Sequence, residues 1–362
     1  MYSLPVDIET FKSPKLHSHA YGARTLLQYH RDELLPEEYD TLGKFRSIIL
    51  SNQKIVCYSP PKSTTISLED AKQEEIIDGT MINVFYDGEW MISTKTILGA
   101  QTRFYQEAPT FAEMFQDACI HCNLFLNKLN PLHCYSFVLQ HPDNRIVTPI
   151  DEPKLYLVEV YRIEDNVIHL CLDRHEFATT WVRYPETFFF STEEDLQSYL
   201  LNEPYSKKGI MIKKGFQRGK YINPAYTHVE TIHGNHHHLT FAFLQHLTTQ
   251  DEWLLYYPEY KDDARRYQSR LTTYIDLLYV YYVDCFIHKK KGLKEYDNLY
   301  KYHLYALHGL YLSKLKPRRM YKKYVVEYIY NLGHEHLHNI LECANLDLNV
   351  LENGNAHSVS SL

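Results

Sequence analysis

The hydrophobic period of this chain changes character once, and that change limits the fold more than any other feature. From residue 45 to about 226, most apolar residues fall in short runs rich in β-formers. After Gly234 they recur at spacings of three and four over long stretches. A chain written this way is expected to fold as α+β, with a sheet-rich domain first and an all-helical domain second. Residues 1–40 read as an irregular N-terminal lead-in with short helical stretches. The sheet domain is assigned to 41–235 and the helical domain to 236–345. Residues 346–362 lack a periodic apolar pattern and are expected to form a mobile tail.

Within the first part the turns carry the clearest signals. Arg46-Ser-Ile-Ile-Leu-Ser51 and Lys54-Ile-Val-Cys-Tyr58 flank Asn52-Gln53 and predict a hairpin that stops at Pro60-Pro61. Thr80–Tyr86 and Trp90–Thr96 flank Asp87-Gly88 and predict a second one. Residues 110–129 switch to helical spacing through Phe111, Met114, Phe115, Ala118, Cys122 and Phe125. Strand character returns at 134–140, 145–147, 155–162, 167–172, 209–213 and 220–226, with a helix expected over 193–201. In the second part, helices are expected over 271–288, 299–315 and 320–332, with Pro317 as punctuation.

Composition narrows the function classes. The chain has 362 residues and a net charge of −7, which argues against a uniformly basic nucleic-acid coat but leaves local basic patches open. No run approaches the roughly 20 apolar residues of a membrane span, and the N-terminus lacks a basic segment followed by an apolar core. A non-secreted, cytoplasmic protein with no membrane partner is therefore expected. The seven cysteines are odd in number and scattered, as free thiols in a reducing compartment would be. Cys119-x-x-Cys122 has no second pair at zinc-finger spacing, so buried helix thiols are the simpler reading.

One segment carries chemistry by its spacing. Glu74-Glu-Ile-Ile-Asp-Gly-Thr-Met-Ile-Asn83 contains Asp78-Gly79, with Ile76 two residues before the aspartate. Ser59-Pro-Pro-Lys62 precedes it and Ser93-Thr-Lys95 follows it. Further on come Phe137-Val-Leu-Gln-His-Pro-Asp-Asn-Arg-Ile-Val147, Lys208-Gly-Ile-Met211 and Lys220-Tyr-Ile-Asn-Pro-Ala-Tyr226. In this order the segments resemble the bacteriophage-type ATP-dependent RNA ligases of the covalent nucleotidyltransferase superfamily, especially their divergent relatives in large DNA viruses. The resemblance covers roughly 45–232 by motif. The helical part matches only in position and character.

The resemblance implies a ligase-like antiparallel-sheet domain, and it locates what is missing. The family's nucleophilic lysine falls on Ile76. Its Phe-Glu glutamate falls on Val138, its Glu-Gly glutamate on Lys208, and the second lysine of its last motif on Ile222. An isoleucine has no lone pair and cannot attack a phosphate, and adenylyl transfer also needs a phosphate-bridging cation. The implied protein is a pseudoenzyme with no catalytic residue and no cofactor; an active version would use ATP and magnesium. Lys62, Asp78, Gly79, Lys95, Arg145 and Lys220 are the remnant that could hold nucleotide or RNA phosphate, against the plainer reading that Asp78-Gly79 makes a turn and the basic residues are solvated. The resemblance further implies a viral source, host cytoplasm or virion as location, and other virion proteins as candidate partners. An active ligase with a displaced nucleophile is the alternative.

Three further signals are weaker. His334-Glu335-His336-Leu337-His338 satisfies the His-Glu-x-x-His pattern of zinc peptidases, with only Glu342 and Glu352 downstream as third ligands. A polar helical turn is the plainer reading. His233-Gly-Asn-His-His-His238 reads as an inter-domain turn with chelating side chains. Lys314–Lys323 is the densest basic stretch, and Leu278–Ile287 is a tyrosine-dense helix that is either buried or an assembly surface.

Overall fold

The sheet-rich half is built from three antiparallel sheets. The structure is a computed structural model describing residues 2–29, 33–39, 41–105, 108–171, 175–315 and 319–343. Its strands are β1 (Ser3–Pro5), β2 (Leu16–Tyr21), β3 (Arg24–Tyr29), β4 (Ile48–Ser51), β5 (Lys54–Tyr58), β6 (Lys72–Glu75), β7 (Thr80–Tyr86), β8 (Trp90–Ser93), β9 (His133–Gln140), β10 (Lys154–Glu164), β11 (Val167–Cys171), β12 (Thr187–Phe188), β13 (Gly209–Lys214) and β14 (Gln217–Ile222). The six-stranded sheet runs β1-β11-β10-β9-β7-β8, and two four-stranded sheets run β2-β3-β4-β5 and β12-β6-β13-β14.

The six-stranded sheet is the central layer. Helix α1 (Phe111–His121) packs Met114, Phe115 and Ala118 against Ile82, Tyr135, Phe137 and Leu155 on one face. The β2–β5 sheet covers the other face, where Ile48, Ile55 and Tyr58 meet Phe85, Cys134 and Tyr161. Helix α2 (Glu193–Asn202) lays Leu196 and Leu200 on Ile210 and Ile212 of β13. Both hairpins form where the turns predict them, and Asn52 and Gln53 take the positive φ values, 47° and 65°, that a two-residue hairpin turn requires.

The structure departs from the sequence expectations at several places. The described residues of 1–40 include three strands and are not simply irregular. β1 pairs with the edge strand β11, and β2 and β3 form a hairpin that joins β4. The outer strand β2 reads Leu-His-Ser-His-Ala-Tyr and fully buries only Leu16, so it shows no apolar alternation. Helix α1 starts on a Thr110/Glu113 capping box and stops early, because Asn123 turns left-handed at φ 53°. Residues 145–147 are loop, after the turn Pro142–Asn144. The strand expected over 220–226 ends at Ile222, and Pro224 opens helix α3 (Pro224–His233).

Two compact units divide at His233/Gly234. The second contains α4 (Leu239–Gln245), α5 (Gln250–Tyr256), α6 (Lys261–Tyr282), α7 (Asn298–Leu310), α8 (Lys322–Tyr330) and α9 (His334–Cys343). Sequence periodicity anticipates α6, α7 and α8, though α6 starts ten residues earlier than expected. The tyrosine-dense end of α6 proves to be packing: Leu278 and Tyr282 are buried, and Tyr281 meets Tyr300 edge-on at 4.9 Å. The expected tail and Pro317 lie outside the described residues. No helix of the described residues is long and apolar enough to cross a membrane.

Candidate functional site

Residues from β7, β9 and β10 of the central sheet, together with β13 and β14, line a cleft of about 440 Å³. Alternation explains which face of β13 reaches it. Ile210 and Ile212 point at α2, so Met211 and Lys213 point into the cleft. Lys62, Gly79, Lys95 and Lys220 line the cleft, and Ile76 and Val138 form part of its apolar wall. The Lys62 ammonium stands 3.7 Å over the Tyr39 ring, and Lys95 lies 5.8 Å from the Tyr29 ring centre. Lys220 is exposed.

Asp78 sits behind this wall, only 3% exposed. One carboxylate oxygen accepts from the amides of Val147 and Thr148, both at 3.0 Å. The other accepts from the Tyr226 hydroxyl at 2.6 Å and from the Lys208 ammonium at 2.9 Å. Burial works to raise this carboxyl, but Lys208, Tyr226 and the Thr148 amide outweigh it and hold Asp78 below its ordinary value. Gly79 follows at φ 149°, and a Cβ there would lie 2.4 Å from the Leu139 carbonyl oxygen. The Asp-Gly pair therefore lets β7 pass close against β9 while the aspartate turns inward.

Arg145 does not join Lys62, Gly79, Lys95 and Lys220 in the cleft lining. It is buried, it is not among the lining residues, and its guanidinium donates to the Val147 carbonyl at 3.0 and 3.1 Å. Asn144 donates to the Thr80 hydroxyl at 3.0 Å, and Gln140 donates to the Asp78 carbonyl at 2.8 Å. The Asn-Arg-Ile-Val stretch thus holds a loop whose amides grip Asp78.

Lys213 and Arg218, which line the cleft, belong to a ladder of ion pairs that spacing alone did not single out. Lys213 pairs with Glu74 at 2.5 Å and with Glu159 at 2.6 Å, and Arg218 pairs with Glu159 at 2.5 Å. A bulge in β10 makes this possible. Leu155, Leu157 and Val160 all enter one core cluster, so the register shift between Leu157 and Glu159 puts Glu159 on the opposite face. The extra residue, Val158, offers its carbonyl to Lys213 at 3.1 Å. Burial pushes the Glu74 carboxyl up, but Lys213 and Lys72 hold it below its ordinary value.

The cleft's donor set does not fit magnesium, which prefers several hard oxygen ligands. Asp78 already accepts four hydrogen bonds, about the full capacity of a carboxylate. Glu75 is the one carboxylate residue among the described lining residues, and it pairs with Lys207 at 3.0 Å.

The other sequence signals stay separate. His334, Glu335 and His338 do lie on one helix, α9, with the His338 ring stacked on Phe241 at 4.4 Å. Glu342 accepts from the Thr240 hydroxyl at 2.5 Å, Glu352 lies outside the described residues, and no group of three metal-ligating side chains exists among the described residues. Gly234 is left-handed at φ 67°, as a turn glycine should be, and His236 bonds Gln245 at 2.5 Å. Cys119 and Cys122 are buried, and burial lifts the Cys119 thiol to about 12. Of the basic stretch 314–323, residues 316–318 lie outside the described residues; Lys322 pairs with Asp276, and Lys323 lies 5.1 Å from the Tyr324 ring centre.

No family model matches the chain. It is 23% identical over 235 residues to an immediate-early protein ICP-46 homolog of Invertebrate iridescent virus 3, covering 59% of this chain and 49% of that protein. It is 29% identical over 102 residues to an RNA ligase of Rhodothermus phage RM378, covering 26% of this chain and 23% of the ligase. The chain therefore spans about half and about a quarter of these two viral relatives. Among solved structures it is similar to a putative ATP-dependent DNA ligase from Aquifex aeolicus, at 13% identity and a TM-score of 0.40, covering 95% of this chain and 77% of the other.

Proposed function

We propose that this is an RNA-ligase-like protein of viral origin that keeps a phosphate-binding cleft and has lost the covalent step. The observation that carries the reading is the Asp78 corner. Where the resemblance places a nucleophilic lysine, Ile76 forms apolar wall. Where it places a glutamate, Lys208 is salt-bridged to Asp78 at 2.9 Å. Seven basic residues and one carboxylate, Glu75, line the cleft; Lys208, Lys213 and Arg218 pair with buried carboxylates, and the balance of the lining suits an anion and not a metal-assisted transfer. RNA or nucleotide is the partner this charge suits. Lys62, Gly79, Lys95 and Lys220 are assigned to the cleft itself, with Asp78 as its buried anchor and Arg145 as the residue that fixes the anchoring loop.

An active ligase with a displaced nucleophile would need a neutral amine in the cleft. Lys213 is the candidate, because burial and then Arg218 push its ionisation down. Its protons, however, face Glu74, Glu159 and the Val158 carbonyl, which leaves no lone pair to attack. The test is incubation with labelled ATP or GTP and magnesium, followed by a denaturing gel. The expected result is no label on the protein, and a label mapping to any lysine overturns the pseudoenzyme reading.

A scaffold role, including one in a virion, is the second reading. It is favoured by Tyr302, Tyr305 and Tyr321, which are all more than half exposed on the helical unit. Absence of RNA and nucleotide binding at low salt would leave this role as the better account.

A further inference from the structure

The resemblance calls for a divalent cation between carboxylates and phosphates, and the cleft offers no carboxylate to hold one. Asp78 has spent its acceptors on two amides, a tyrosine and a lysine. Glu75 is held by Lys207, and Glu74 and Glu159 are held by Lys213 and Arg218. What reaches the wall from the Asp78 corner is the Lys208 ammonium. Asp78 takes one of its three N–H groups, its side chain is 22% exposed, and it lines the cleft.

We propose that the cleft binds the polyphosphate chain of a single nucleotide without a divalent cation, with the Lys208 ammonium, anchored on Asp78, in the role of the metal. The proposal rests on the reading of the cleft as a phosphate site and adds how the phosphates are held. Lysine is a strongly hydrated point charge that suits a phosphate oxygen. Asp78 fixes its position, as a carboxylate hydrogen-bonded to a metal-bound histidine fixes that ring. Arg46, Lys62, Lys95 and Lys220 supply further positive charge around the same space. The size favours a nucleotide over a strand: about 440 Å³ lies within the usual range of small-ligand pockets. Ile76, Val138, Val158, Met211 and Ile222 offer an apolar wall for a base.

The metal dependence follows from charge. A free triphosphate is more negative than its magnesium complex, so magnesium should compete with the lysines for it. The experiment titrates ATP and, separately, inorganic tripolyphosphate into the full-length protein at low salt, in EDTA and in magnesium, by calorimetry. The expected affinity in EDTA equals or exceeds that in magnesium, and ATP displaces bound RNA. Lys208→Met should lower the affinity in EDTA about tenfold, as loss of a charged hydrogen bond does. Lys208→Met leaves Asp78 buried without its ion, so the double variant Asp78→Asn with Lys208→Met, which removes both charges, is measured beside it and should lose binding too.

Binding that needs magnesium overturns the proposal and leaves the phosphate-site reading standing. A double variant that binds like the wild type overturns the role of Lys208. RNA binding that ATP does not displace makes the site a strand site and overturns the single-nucleotide claim. No binding of ATP, tripolyphosphate or RNA under any condition removes the underlying reading itself.

Discussion

The two units bury polar groups by opposite means. At the cleft, Glu74, Glu159, Lys213 and Arg218 pair acid to base at 2.5–2.6 Å. In the helical unit, His303 is 1% exposed, and burial, helped by His336, lowers it to about 4. Its Nδ1 meets the Tyr328 hydroxyl at 2.8 Å, and Tyr274 approaches its ring edge-on at 6.1 Å. Tyr274 in turn stacks on Tyr300 at 4.7 Å. Ions cost several kcal/mol each to bury, so an ion ladder persists in a core only with close partners. A neutral imidazole among tyrosines avoids that cost but gives no field to attract a ligand. Both interiors are thus electrically balanced, the first by pairing charges and the second by keeping the imidazole neutral.

The largest effect expected is from breaking the ladder. Arg218→Met leaves Glu159 buried beside Lys213 alone and should cost about 3–5 kcal/mol in the first unit. Glu159→Gln combined with Arg218→Met should cost less than the single change, because no uncompensated charge remains. Denaturant unfolding followed by probes specific to each unit reads both. Equal losses in the two variants would mean that packing, not charge, holds the ladder.

Acid should separate the units. His303 has a folded value of about 4 against an unfolded 6.5, so the unfolded chain binds a proton first. Its stabilisation is full above pH 6.5 and is lost as pH falls toward 4, by about 3 kcal/mol. Asp78 and Glu74 are both held below their ordinary values, so their contribution is lost only below about pH 4, as each falls through its folded value. Calorimetry between pH 7 and 4.5 should therefore show the helical unit weakening first. His303→Phe should flatten that dependence, and a helical unit indifferent to this window would remove the contrast.

Smaller effects test the cleft. Replacing Lys95 and Lys220 together by alanine should lower phosphate or RNA affinity about tenfold at low salt and flatten its salt dependence. Stability should change by less than about 1 kcal/mol. Replacing Lys322 and Lys323 should change affinity less, since they belong to the helical unit. Ile76→Lys should give no adduct on a denaturing gel, because Val138, Lys208 and Ile222 still lack the groups that would hold metal and leaving phosphates. Efficient labelling of that single variant would mean that only the nucleophile is missing.

Some of this was legible in the order of residues. Asn52-Gln53 and Asp87-Gly88 specify their hairpins because so few side chains tolerate the turn conformations. The helical spacing of 271–288 follows from one apolar face that must be buried. Ile76 two residues before Asp78 announced that no amine would stand at that position, since a side chain's chemistry needs no coordinates.

Other features needed the tertiary structure. β2 and β6 are polar strands with no apolar alternation to mark them, and β6 finds its partners, β12 and β13, more than a hundred residues away. Arg145 looked like a phosphate ligand, and only the loop geometry turns its guanidinium onto Val147. Glu159 faces the ladder because one extra residue in β10 reverses the alternation after Leu157. Lys208 and Asp78 stand 130 residues apart in sequence and 2.9 Å apart in space. A sequence fixes which charges exist and where the chain can turn. Which charges neutralise each other, and which are left to face a ligand, depends on distances that only the folded chain supplies.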